Sequence, residues 1–279
     1  MSVLAYGFLA VLAAFEGRPT SVSGIMARVA LNQQISRQAR THYLYRQDQT
    51  IRMRRPNGKI AREQSAEYRV TPGKDDAEKT LQKFDGRYEH KGKYVSYDKP
   101  GYTYRGLDID GDLIQQMADD MMNDRKSRDG IGHELFPLTA QEQKNYDFRL
   151  TGKETYRGRS VYRIAFSPKP RTQMDFDEAW KGEALIDAEE YQPITVETAM
   201  AQKMPAWAKI VLGTDVKGLG FSVTYQKFDD GAWFPVSYGG EFEVRGVFFY
   251  KRNISVSMQN TDFRKTDVKS TLVYATDAH

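Results

Sequence analysis

YDFRLTGKETYRGRSVYRIAFSPK, residues 146–169, decides the fold class. Phe148 and Leu150 stand at period two before Gly152, and Arg157-Gly158-Arg159 turns the chain. Tyr162, Ile164 and Phe166 then share one face of a second strand. Alternation bounded by turn residues marks antiparallel strands with one buried face. The same grammar continues through GEALIDAEEYQPITVETAM (182–200), GFSVTYQKFDDGAWFPVSYG (220–239), EFEVRGVFFYK (241–251) and NISVSMQNTDF (253–263). A meander of this length makes one curved sheet whose inner face must be covered.

Upstream, TSVSGIMARVALNQQISRQAR (20–40) places Ile25, Val29 and Ile35 at helical spacing, with Ser21 or Ser23 as a cap. THYLYRQDQTIRMRR (41–55) and KIAREQSAEYRV (59–70) flank the Pro56-Asn57-Gly58 turn and read as a hairpin. Tyr43, Tyr45, Ile51 and Met53 share one face of its first strand; Ile60, Ala66, Tyr68 and Val70 align on its second. Shorter strands and turns follow in FDGRYEHKGKYVSYDKPG (84–101). DIDGDLIQQMADDMMNDR (108–125) reads as a helix capped by Asp110 or Asp112, with Leu113, Met117 and Met121 as its apolar stripe. Residues 124–145 read as a loop with short helical pieces, and PAWAKIVLG (205–213) as a second helical candidate between strands. The class is α+β: a strongly curved antiparallel sheet, a half-barrel, with helices covering its concave face.

The chain has 279 residues, a net charge of +4, 17 tyrosines and no cysteine. Lacking cysteine, it forms no disulfide, thiol nucleophile, thiolate metal site or acylated lipobox. Residues 3–15, VLAYGFLAVLAAF, are too short to span a bilayer but match a signal-peptide core, without a basic n-region. The expected organisation is a signal segment at 1–17 and a single domain at 18–279, exported to the periplasm. Arg52, Arg54, Arg55, Lys59 and Arg62 cluster around the hairpin turn, where a solvated basic tip is the plain reading and nucleic acid, anionic lipid headgroups or an acidic partner are the functional ones. No zinc-finger spacing or RNA-binding aromatic motif accompanies them, so nucleic acid is not an expected partner.

Catalytic signatures are missing. His42, His90, His133 and His279 are scattered without metal-ligand spacing, and no G-x-S-x-G occurs. Asp108-Ile109-Asp110-Gly111-Asp112 has its glycine at the fourth position of a calcium loop rather than the sixth, so helix capping is the simpler reading. GTDVKGLGF (213–221) lacks the ending of a phosphate loop. Glu183, Asp187 and Glu197 fall on neighbouring strands, leaving a carboxylate-dependent hydrolase as the one enzymatic alternative. No metal or cofactor is expected.

The order of strands and turns resembles bacterial outer-membrane lipoprotein-sorting proteins of the LolA/LolB-like superfamily. The resemblance covers about residues 145–265. It rests on the strand ending at Gly152, Gly158-Arg159-x-Val161-Tyr162-x-Ile164, the Pro168-Lys169 turn, Ile186-Asp187, Tyr191-x-Pro193 and Gly231-x-Trp233-Phe234-Pro235. It implies a half-barrel closed by helices around an apolar cavity for acyl chains, and a non-enzymatic carrier of a lipid or acylated lipoprotein. The length and the 124–145 loop depart from the soluble carrier, and no functional arginine is carried over from it. The candidate cavity residues are Tyr43, Tyr45, Ile51, Met53, Tyr68, Leu113, Met117, Met121, Phe148, Leu150, Tyr162, Ile164, Phe166, Phe221, Val223 and Tyr225. An envelope module that binds a protein partner, such as an envelope membrane protein, is the alternative. Methionines beside Tyr and Phe suit adaptable apolar contact, and equally an ordinary core.

Overall fold

The computed structural model describes residues 21–72, 77–104, 106–122, 139–170, 180–201, 214–246 and 249–266. The signal segment at 1–17, the helical candidate at 205–213 and most of the 124–145 loop lie outside them. Helix α1 spans Val22–Arg40, and strands β1 to β4 span Tyr43–Arg54, Ile60–Pro72, Ala77–His90 and Lys93–Tyr97. Helix α2 spans Ile109–Met122. A short 3-10 turn, Glu142–Asn145, leads into β5 (Tyr146–Tyr156), β6 (Arg159–Pro168), β7 (Trp180–Asp187) and β8 (Pro193–Met200). The chain ends with β9 (Thr214–Lys217), β10 (Gly220–Lys227), β11 (Trp233–Gly246) and β12 (Lys251–Lys265).

The strands form one open sheet in the order β4-β3-β2-β1-β12-β11-β10-β8-β7-β6-β5, with β9 beside β11. Every pairing is antiparallel. Most strands pair with a sequence neighbour; β9 is bypassed, so that β8 pairs with β10 and β9 with β11, and at the centre β1 meets β12 in the longest-range contact of the fold.

Register carries one face through the whole sheet, because strand side chains alternate. Ile51 lies opposite Gln64 on one side and Val256 on the other; Val256 faces Gly240, and its neighbour Met258 faces Tyr238. Tyr238 faces Val223, which faces Val196, then Ala184, then Ile164. Both helices pack on this inner face. Ile25, Met26 and Val29 of α1 join Tyr146, Ile164, Phe166, Trp180, Ala184, Ile186, Val196 and Val223. Ile114 and Ala118 of α2 join Ile51, Met53, Val244, Ile254 and Val256. Tyr238 touches both clusters.

Helix α1 begins where Ser21 accepts the Gly24 N–H at 3.2 Å. Its buried side is Ile25, Met26, Val29, Gln33, Ser36 and Arg40, while Leu31 and Ile35 point to solvent. Ile35 therefore lies off the apolar stripe that spacing alone suggests. Polar contacts take over at this end: Gln33 Nε2 donates to Gln192 Oε1 at 2.6 Å, Gln192 Nε2 to Ser36 Oγ at 2.9 Å, and Arg40 Nη1 to the Trp233 carbonyl at 3.1 Å. Buried polar groups persist only when hydrogen-bonded in this way. Trp233 and Phe234 build two cores at once. Trp233 packs with Val161, Leu185 and Ile194, while Phe234 packs with Tyr43 and Ala232.

Candidate functional site beneath helix α2

Helix α2 is fixed to the inner face by its first turn. Asp108 stands just before it, and Asp108 Oδ1 accepts the Gly111 N–H at 2.8 Å, which is N-capping geometry. Its Oδ2 accepts Arg62 Nη1 at 2.7 Å and the Tyr104 N–H at 3.1 Å. Asp110, one of the two expected caps, instead receives Arg252 Nε at 2.8 Å, Arg252 Nη2 at 2.9 Å and the Tyr250 hydroxyl at 2.7 Å. Burial, with Asp110 beside it, pushes the Tyr250 phenol far above its ordinary range. The DIDGD segment is thus a two-carboxylate clamp, one arm reaching β2 and the other β12.

Arg62 is not part of a solvated basic tip. Its side chain is 1% exposed and its partner Asp108 3%. Arg62 Nε donates to Tyr97 Oη at 3.1 Å, and its guanidinium lies 4.9 Å from the Tyr97 ring centroid and 5.5 Å from that of Tyr88. It also donates to the Tyr102 carbonyl. Burial works against its charge, yet Tyr97 and Asp108 outweigh it and hold Arg62 above its ordinary value. The signal in the sequence is parity, since Arg62 shares the even positions of β2 with Ala66, Tyr68 and Val70. Two glycines make room for this arrangement. Gly86 lies under the Tyr97 ring, and a Cβ on Gly111 would collide with the Asp108 carboxylate and sit 2.7 Å from Arg62 Nη1. Alanine for glycine inside a helix ordinarily stabilises by about 1 kcal/mol. Gly111→Ala is expected to lower the melting temperature instead, while Gln116→Gly, at an exposed later position of α2, shows the ordinary penalty.

Beyond the clamp, α2 covers a small cavity of about 40 Å³ over β1, β2 and β3. Ile51, Ala66, Phe84, Pro100 and Ala118 supply its apolar wall; Gln49, Gln64, Tyr68, Gln115 and Asp119 supply its polar one. One water needs roughly 10–15 Å³, so the space suits about three or four waters. Burial, then the Asp119 carboxylate, raises the Tyr68 phenol above its ordinary value. A belt of amides crosses the inner face beside it. Gln49 Nε2 donates to Gln47 Oε1 at 3.0 Å, Gln47 Nε2 to Asn260 Oδ1 at 3.1 Å, and Asn260 Nδ2 to the Pro235 carbonyl at 2.9 Å. Reading β1 for its apolar residues alone passed over Gln47 and Gln49, although they sit on the same parity as Ile51 and Met53.

Of the candidate cavity residues, Ile51 and Tyr68 border this space. Met53 packs under α2 with Leu113 and Met117 around it. Phe148, Tyr162, Ile164, Phe166, Phe221, Val223 and Tyr225 gather in the cluster beneath α1. Tyr43 and Tyr45 belong to an aromatic group with Phe228, Phe234 and Phe263. Leu150 keeps 38% exposure on the edge strand β5, beside a bulge between Leu150 and Gly152. Met121 lies on α2, with its side chain outside the described residues.

Of the sheet carboxylates, Asp187 and Glu183 are in structural contacts, and Glu197 is exposed. Asp187 Oδ1 accepts the backbone N–H groups of Glu189 at 2.8 Å and Glu190 at 2.9 Å, and its Oδ2 accepts Arg159 Nη1 at 2.9 Å. Burial raises its pKa, but these donors outweigh that and hold it below the carboxylate range. Glu183 sits opposite Glu197 and takes Arg163 Nη1 at 3.0 Å.

No protein-family profile and no curated protein matches the chain. Among solved structures, it is similar to a DUF1329 family protein from Desulfovibrio piger, with 12% identity, 89% of this chain and 94% of the other covered, and a TM-score of 0.37. A domain named for outer membrane lipoprotein sorting, from Vibrio parahaemolyticus, gives 13% identity, 87% and 94% coverage and a TM-score of 0.37. A LolA superfamily protein from Nitrosomonas europaea gives 12%, 85% and 94%, and 0.33. The superfamily named there is the one the strand-and-turn order resembles. Among the described residues no helix is long and apolar enough to cross a membrane.

Proposed function

We propose that the chain is a non-enzymatic binding or carrier protein for an acylated lipid or lipoprotein, working in the periplasm after export as a single domain. The sheet's inner face is its concave wall and α2 is the movable cover. One observation carries this reading. A half-polar void persists under the middle of α2, while among the described residues the helix is held to the sheet by polar contacts at its first turn. A cavity of about 40 Å³ admits no acyl chain, since even benzene occupies an engineered cavity of ~150 Å³. Loading therefore requires α2 to swing away from the clamp, exposing Ile51, Met53, Ile254 and Val256. Each methylene then buried contributes about 0.8 kcal/mol. The amides at Gln49 and Gln64 suit the ester or amide end of an acyl group, which needs donors when buried.

Lipid extraction and native mass spectrometry of protein purified from its own envelope test this. Wild type is expected to carry an acyl-bearing species that Met117→Glu loses and Asp110→Asn, with the clamp loosened, carries at higher occupancy. If none of the three holds acyl material, the carrier reading fails. The closed state of the cavity favours a second reading, an envelope regulatory or assembly module that binds a protein partner through its surface. Crosslinking in the intact envelope that captures one protein in stoichiometric amount, without lipid, would establish it.

A further inference from the structure

Phe249 occupies the turn between β11 and β12, which the Gly246 N–H closes on the Tyr250 carbonyl at 2.9 Å. Its side chain is 103% exposed and its backbone is left-handed, with φ at 66°. That conformation favours glycine or asparagine and costs a bulky residue about 1–2 kcal/mol. Neither backbone geometry nor packing explains a phenylalanine there. Its surroundings are distinctive. Because β1 pairs with β12 and Arg54 faces Asn253, the β1–β2 turn lies at the same end of the sheet. The β3–β4 turn joins them, since Arg62 near the start of β2 faces Tyr88 near the end of β3. Lys59, Lys91 and Lys93 on these turns are exposed and have no carboxylate partner among the described residues. Of the carboxylates at this end, Glu89 is engaged by Arg55, Glu243 by Arg245 and Lys251, and Asp110 by Arg252, while Asp112 on the first turn of α2 is exposed. Leu107 and Ile109, at the start of α2, are 78% and 40% exposed on the same end.

We infer that this end of the sheet docks on an anionic lipid bilayer, with Phe249, Leu107 and Ile109 entering the headgroup–acyl boundary and Lys59, Lys91 and Lys93 facing lipid phosphates. Apolar side chains ringed by cations match an anionic bilayer surface, where the ring buries apolar area and the charges add attraction. An acidic protein would answer the lysines but leave the exposed phenyl ring without a role. The inference does not depend on whether α2 covers an acyl chain, because vesicle partition is scored without reference to ligand content.

The test uses the whole chain with vesicles of phosphatidylethanolamine and phosphatidylglycerol at three to one, and of phosphatidylcholine alone. Flotation with the anionic vesicles at low salt, falling as salt rises, is expected, with little flotation on phosphatidylcholine. Phe249→Gly relieves the turn, so its melting temperature should not fall, yet its partition should drop about tenfold. Lys59→Gln and Lys93→Gln should each lower it roughly fivefold. Since the chain has no cysteine, Phe249→Cys and Gln38→Cys each accept one environment-sensitive dye. Only the dye at position 249 should shift to the blue on anionic vesicles. Absence of wild-type flotation overturns the proposal. So does flotation unmoved by Phe249→Gly and the lysine variants, or a blue shift at position 38 alone. Binding to an acidic protein without vesicle binding overturns it as well.

Discussion

Replacing Arg62 by alanine is expected to cost about 3–5 kcal/mol of folding stability, among the largest single-residue effects in the chain. The magnitude comes from what is left behind. Asp108 is 3% exposed, and without Arg62 it keeps two backbone donors but loses its counter-charge. Tyr97 and Tyr102 lose the donor they share as well. Removing one member of a buried pair is costly, whereas an apolar pair of similar shape can be close to neutral. Arg62→Met with Asp108→Leu should therefore recover part of the loss, limited by the missing cap on α2. Denaturant unfolding of the four proteins in a double-mutant cycle measures the coupling. Additive effects of the two single substitutions would remove the pair from the account of stability.

Phe234→Ala is expected to cost a similar 3–5 kcal/mol, for a different reason. Phe234 is 0% exposed and meets Phe263 at 4.6 Å, Tyr43 at 5.0 Å and Phe228 at 5.3 Å between ring centroids. The Arg40 guanidinium lies 6.0 Å from its ring centroid. These neighbours come from α1, β1, the β10–β11 turn and β12, so collapse into the space left by the ring requires several elements to move together. Phe234→Leu retains most of the volume and should lose appreciably less. Thermal and chemical unfolding of both variants is the check, and equal losses would mean that ring geometry, not volume, sets the value. The adjacent Trp233 provides a contrast, because it faces the other core, and its Nε1 donates to Glu190 Oε2 at 3.2 Å.

Much of the sheet was legible because alternation is a local property. The run from Tyr146 to Phe166 states its own inner face, and the register observed for β5 and β6 pairs Phe148 with Phe166 and Leu150 with Ile164. The exposed place of Leu150 was not legible, since it depends on how far along the edge strand α1 extends: Tyr146 and Phe148 lie beneath the helix and Leu150 lies beyond them. Arg62 and Asp108 were missed as partners for a related cause. They are separated by 46 positions, and nothing in a basic stretch marks one arginine as the buried member except its parity with Tyr68 and Val70. The capping role passed from Asp110 to Asp108 because Arg252 claims Asp110, and Arg252 lies far along the chain. Buried glutamines on β1 broke an apolar pattern that otherwise held. Polar belts of this kind are invisible to a reading that looks for hydrophobic runs, because their burial is licensed by partners such as Asn260 rather than by their own chemistry.

The clamp on α2 also bears on how the chain assembles. In sequence the sheet is two meanders, β1 to β4 and β5 to β12, each made of strands that pair with partners close along the chain at small entropic cost, with β9 set aside on β11. They meet at one seam, where the first strand lies against the last. Joining segments so distant along the chain is the slow step expected of non-local pairing. Asp108 and Asp110 reach across that seam, one to β2 on its near side and the other to β12 on its far side. The helix that shelters the cavity is therefore also a rivet between two independently written halves, and lifting it would loosen the join as well as the cover.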